Sequence, residues 1–122
     1  MARKILIIDD DADFVGTLSK RLLANKYDVT VAFDAVQGLA KAHKEKPDLI
    51  LLDISMPAGG GESFFRNIKQ SVNTATIPVI LLTAHNDSML RAKFMQQGAH
   101  AFITKPYEPQ ELMSEIKKAL GD

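Results

Sequence analysis

Four short apolar runs in this chain end in residues capable of chemistry. Ile5-Leu6-Ile7-Ile8 runs into Asp9-Asp10-Asp11, and Leu49-Ile50-Leu51-Leu52 runs into Asp53. Val79-Ile80-Leu81-Leu82 runs into Thr83, and Ala101-Phe102-Ile103 into Thr104-Lys105. Carboxylates gathered in one place repel one another and favour a hard divalent cation. Oxygen-only ligation suits Mg²⁺, with Mn²⁺ as an alternative. A carboxylate can also attack phosphorus and form an acyl phosphate. The transferred phosphoryl group spreads charge over three equatorial oxygens, so catalysis is mostly positioning and neutralisation. With Asp53 as the acceptor, a cation held by two or three of the clustered carboxylates can serve one oxygen, Lys105 a second, and Thr83 with backbone N–H groups the third. Neither histidine nor serine is needed as nucleophile.

These residues act together only if the fold brings them together. The three four-residue aliphatic blocks are too short for helices and lack period-two alternation, as expected of strands buried on both faces of a parallel sheet. Val29-Thr30-Val31-Ala32-Phe33 alternates and reads as an edge strand; Ala101-Phe102-Ile103 is a fifth. Between them lie segments with helical spacing: Phe14, Leu18 and Leu22 after the aspartates, with Asn25 as a left-handed stop. Asp34 caps a second helix that must end near Pro47. Phe64, Phe65 and Ile68 mark a third, and Asn86 or Asp87 caps a fourth that runs to Gly98. Pro109 opens a fifth, through Leu112, Met113, Ile116 and Leu120 to Gly121. Alternating strands and helices predict right-handed crossovers and a parallel sheet covered on both faces. The chemistry-bearing residues then share the carboxyl edge, where such sheets bind ligands.

Composition narrows the function further. With 122 residues, 46% hydrophobic and 25% charged, the chain is expected to form one globular domain, 1–122. Fifteen basic residues balance fifteen acidic ones, so no global field draws it to nucleic acid or an anionic membrane. Cysteine is absent, which excludes disulfides and thiolate chemistry. The apolar runs are too short to cross a bilayer, and a cytoplasmic setting is expected.

Each residue also has a plain structural reading. Asp9 to Asp11 can be helix caps, Asp53 a turn residue, Thr83 a backbone-satisfying strand end, and Lys105 a surface lysine before a turn. The functional reading rests on their conjunction at the correct strand ends.

The stretches Ile5–Asp11 (ILIIDDD), Leu49–Pro57 (LILLDISMP), Pro78–Ala84 (PVILLTA) and Gly98–Pro106 (GAHAFITKP) resemble the receiver domain of two-component response regulators, a likeness that covers essentially the whole chain. The resemblance implies a flavodoxin-like doubly wound α/β fold, a five-stranded parallel sheet in the order 2-1-3-4-5. It implies that Asp53 is the phosphoacceptor and that Asp9 and Asp10 form the acidic pair for Mg²⁺. Asp10 is then the more direct ligand, and the backbone carbonyl of Ser55 completes the protein's share. Thr83 and Lys105 match the hydroxyl and lysine that contact the phosphoryl oxygens. Phe102 matches the aromatic residue that swings inward with Thr83 on activation, and Lys105-Pro106 is expected to be cis. Ser55, Ala84 and His85 border the path of the water that removes the phosphoryl group. The expected donor is a histidine kinase or histidine phosphotransfer protein. The expected output is a downstream protein or a self-dimer, through the face of the fourth helix, fifth strand and fifth helix with Arg91, Phe94, Met95 and His100. Direct contact with nucleic acid or membrane is not expected.

The sequence departs from the receiver pattern in two places. Ala58-Gly59-Gly60-Gly61-Glu62 replaces the more usual apolar residue and aspartate before the last glycine, and its three glycines predict a mobile loop. Phe102 lacks the hydroxyl of the commoner tyrosine. Two rival readings stand beside the switch. A phosphatase of the haloacid dehalogenase type also uses an aspartyl nucleophile after its first strand, but it expects Thr or Val where this chain has Asp13. A receiver-like module that is never phosphorylated is the other, and the intact set Asp9, Asp10, Asp53, Thr83 and Lys105 argues against it.

Overall fold

A computed structural model describes residues 2–56, 60–84 and 87–122. The strands are β1 (Lys4–Ile8), β2 (Asp28–Ala32), β3 (Leu49–Leu52), β4 (Val79–Thr83) and β5 (Ala101–Thr104). The helices alternate with them as α1 (Ala12–Ala24), α2 (Ala35–Glu45), α3 (Gly60–Gln70), α4 (Ser88–Gln96) and α5 (Pro109–Leu120). The strands form one parallel sheet in the order β2-β1-β3-β4-β5, the flavodoxin-like doubly wound arrangement.

The unbroken apolar blocks are explained by where their alternate residues point. Leu6, Ile8, Ile50, Leu52, Val79 and Leu81 face one core with Phe64, Phe65, Ile68 and Phe94. Ile5, Ile7, Leu49, Leu51, Ile80 and Leu82 face the other, with Leu18, Leu22, Leu112 and Ile116. The aliphatic blocks of β1, β3 and β4 are covered on both faces, so both sets of their alternate positions are apolar, whereas the edge strand β2 keeps Asp28 exposed and Thr30 half-buried. At roughly 1.5–3 kcal/mol for each aliphatic side chain fully buried, these two layers supply most of the drive to fold.

Helix boundaries follow local chemistry. Asp11 Oδ1 accepts from Phe14 N–H, Asp34 Oδ1 from Gln37 N–H, and Asp87 Oδ1 from Met89 and Leu90 N–H, capping α1, α2 and α4. The end of α1 differs from the expectation. Asn25 is not left-handed (φ −92°); Lys26 is, at φ 70°. Tyr27 N–H donates to Leu22 C=O and Lys26 N–H to Leu23 C=O, so the chain reverses one residue later while Tyr27 packs into the same core as Leu22. Asn25 instead donates its side-chain amide to Arg21 C=O.

The glycine-rich stretch is a further correction. Gly60 and Gly61 lie in the first turn of α3 rather than in a loop; Pro57, Ala58 and Gly59 lie outside the described residues, as do His85 and Asn86. A Cβ on Gly61 would stand 2.5 Å from Ile54 Cα and 2.9 Å from the Asp53 carbonyl oxygen. Glycine is needed there for close approach to the end of β3, not for mobility.

Candidate functional site at the carboxyl edge of the sheet

The ladder carries the site residues one step beyond the strands. Asp53 N–H donates to Ile8 C=O (2.9 Å) and Asp9 N–H to Ala32 C=O (3.2 Å), which sets Asp53 beside Asp9. Lys105 N–H donates to Thr83 C=O at 2.7 Å. Asp9 and Asp53 are buried, Asp10 is exposed, and carboxylate oxygens of all three lie within 4.8 Å of one another.

Two carboxylates this deep need compensation. Lys105 Nζ supplies part of it, 2.8 Å from Asp9 Oδ2 and 4.0 Å from Asp53 Oδ2. Asp11 N–H donates to Asp9 Oδ1 (3.0 Å) and Ser55 N–H to Asp53 Oδ1 (2.9 Å). Burial nevertheless pushes the Asp9 carboxyl above the usual carboxylate range; the Lys105 ammonium and the Asp11 N–H only partly offset it, and the charge of Asp53 adds to the rise. The cluster thus holds more negative charge than its one ammonium relieves. Its donors are all oxygens, which fits a hard divalent cation.

Thr83 is fully buried at the end of β4, and its hydroxyl lies 2.9 Å from Ser55 Oγ. On β5, Phe102 pairs with Leu81 in register and its ring is buried at 3% exposure, with Arg91 Cζ 5.8 Å from the ring centroid.

Similarity to known proteins identifies the family. Residues 5–117 match the response regulator receiver domain family. The chain belongs to that family. The receiver is 35% identical over 120 residues to the phosphate regulon transcriptional regulatory protein PhoB of Escherichia coli (strain K12), covering 98% of this chain and 52% of PhoB. It therefore spans about half the length of that relative. Among solved structures, a CheY-like response regulator receiver domain protein from Methanospirillum hungatei JF-1 superposes with a TM-score of 0.91 at 29% identity, covering 99% of this chain and 95% of that one. The BeF₃-activated N-terminal receiver domain of Klebsiella pneumoniae RstA superposes with 0.88 at 27% identity, covering 98% and 100%.

In this receiver the structure brings Asp9, Asp10, Asp53, Ser55, Thr83 and Lys105 to one edge. Ser55 and Ala84 are exposed beside it, and His85 lies outside the described residues. The Lys105-Pro106 peptide is cis. The aspartate triplet divides its labour: Asp9 and Asp10 join the cluster, while Asp11 caps α1. Phe94 does not belong to a contact surface. It is 1% exposed and packs edge-to-face on Phe65, with centroids 5.2 Å apart, because α4 turns that residue into the core. Arg91 and Met95 are exposed, and His100 Nε2 lies 3.6 Å from Glu115 Oε2. No helix among the described residues is long and apolar enough to cross a membrane.

Two residues of the site escaped the sequence reading. Phe14, whose spacing predicts only a helix-core position, has its ring centroid 3.9 Å from Lys105 Nζ, and Tyr107 meets that ring edge-on. Their signal was an aromatic at each flank, one in the first turn after the aspartates and one just past Lys105-Pro106.

Proposed function

We propose that this receiver is a phosphorylation-operated switch in a two-component relay, with Asp53 as the acceptor. An Asp53 carboxylate oxygen attacks the phosphorus of a phosphohistidine donor; the O–P bond forms, the N–P bond breaks, and the imidazole leaves. Asp9, Asp10 and Asp53, with the Ser55 carbonyl, are the residues that would hold Mg²⁺. When bound, that ion would neutralise charge on the phosphoryl oxygens. Lys105 and the Thr83 hydroxyl bind the remaining oxygens, and Ser55, Ala84 and His85 border the route of the hydrolytic water. The observation that carries the reading is Asp53 buried within 4.8 Å of two other carboxylates, with a lysine ammonium 4.0 Å from its Oδ2.

The added charge is proposed to draw Thr83 from Ser55 toward the phosphoryl group and to hold the Phe102 ring inward, where it already stands. The α4–β5–α5 face, with Arg91, Met95 and His100, then presents the output to a protein partner or a second copy. The transcriptional role in PhoB's name belongs to that whole protein; for this chain we propose a protein contact as the output. The RstA receiver is BeF₃-activated, and the same mimic suits this chain. Amide shifts should move around Asp53 and also at Phe102 and α4 when beryllofluoride and Mg²⁺ are added. Shifts confined to the loops around Asp53 would refute the switch.

A further inference from the structure

Lys105 is held by more than carboxylates. Its Nζ lies 3.9 Å from the centroid of the Phe14 ring, well inside the reach of about 6 Å for a cation–π contact. The ring is itself fixed. Phe14 N–H donates to the capping Asp11 at 3.1 Å, which anchors the first turn of α1, and Tyr107 meets the ring edge-on with centroids 6.3 Å apart and planes at 86°. Phe14, Lys105 and Tyr107 also line one cavity of about 490 Å³, with Thr17, Arg21 and Pro109.

The chemistry of the third neighbour matters. Asp9, the closest partner of Lys105, is also one of the three carboxylates suited to a cation. Any commitment of Asp9 to a metal weakens its hold on the ammonium. A further carboxylate in place of Phe14 would hold Lys105 but would repel an incoming phosphoryl group. An aromatic face attracts an ammonium through its quadrupole and carries no net charge, so it does neither harm.

We infer that Phe14, backed by Tyr107, is the positioning residue that keeps the Lys105 ammonium beside Asp53 when Asp9 is otherwise engaged. This inference rests on the phosphoryl chemistry proposed for Asp53. Phe14 touches no reacting atom and acts through Lys105.

Phe14→Leu removes the quadrupole while keeping apolar bulk for the lysine stem, and Phe14→Tyr restores an aromatic face. The first measurement uses metal-free protein with ¹³C-labelled lysine. The Lys105 ε-methylene protons should lie upfield of the lysines remote from aromatic rings in wild type and Phe14→Tyr, and return to the ordinary position in Phe14→Leu. The second is the rate of Asp53 phosphorylation by acetyl phosphate at saturating Mg²⁺. It should fall about threefold to tenfold in Phe14→Leu, the size of one partly desolvated cation–π contact, and recover in Phe14→Tyr. Equal rates for wild type and Phe14→Leu would overturn the positioning role. Ordinary Lys105 shifts in wild type would overturn the contact. Wild-type protein that takes no phosphoryl group while Lys105 remains shifted would overturn the proposed function, and this inference with it.

Discussion

Lys105 is bonded to Asp9 rather than to Asp53: its Nζ is 2.8 Å from one carboxylate and 4.0 Å from the other. The lysine proposed to bind the phosphoryl group is therefore engaged, in this conformation, with a proposed metal ligand. Removing it should free Asp9. We expect Lys105→Ala to tighten Mg²⁺ by about threefold to tenfold, the factor for an interaction of roughly 1 kcal/mol at a partly solvated site. The same variant should lose the response to phosphorylation. Mg²⁺ titration followed by NMR checks the first part; weaker binding would contradict it.

Gly61 and Gly16 give opposite expectations for the same substitution. A Cβ at Gly61 meets Ile54 Cα at 2.5 Å, so Gly61→Ala must displace backbone next to Asp53 and should cost about 1–3 kcal/mol. Gly16 is exposed in the middle of α1 with nothing within 4 Å of a new Cβ, and Gly16→Ala should gain roughly 0.5–1 kcal/mol. Urea unfolding of the two variants distinguishes them. A neutral Gly61→Ala would mean that α3 can retreat from β3 freely.

Lys69 carries the clearest pH dependence. Burial lowers its pKa below the ordinary 10.5; its ammonium lies over the Phe65 ring and donates to Ala75 and Ile77 C=O at only 3.4 and 3.3 Å. Between the folded value and 10.5 the unfolded chain binds more protons than the folded one, so stability rises with pH across that window. Lys69→Met should stabilise the protein by about 0.5–1 kcal/mol at neutral pH, a gain that disappears as the pH approaches 10.5. Chemical denaturation at neutral and alkaline pH checks both the sign and the disappearance.

The strands were the most legible part of the sequence because both faces of the sheet are buried: an apolar block such as Leu49–Leu52 has no other role in so short a run. The site was legible for a related reason, since a parallel sheet sends every strand end to one edge and the ladder needs only one further residue to seat Asp53 beside Asp9. Contacts between distant side chains were not. Phe14 carries the same helical spacing whether it faces the core or a lysine 91 positions away, and spacing alone cannot separate the two. Phe94 failed in the opposite direction, its burial being set by packing of α4 against Phe65 across the core rather than by local pattern. Asn25 was a better left-handed candidate than Lys26 by intrinsic preference. The need to bury Tyr27 against the α1 core placed the reversal one residue later.

The central claim is that Asp53 takes the phosphoryl group, and intact mass after treatment with acetyl phosphate and Mg²⁺ tests it most directly. Wild-type protein should gain one phosphoryl mass, and Asp53→Asn, folded but without the nucleophile, should gain none. Equal modification of the two proteins would show that the acceptor lies elsewhere.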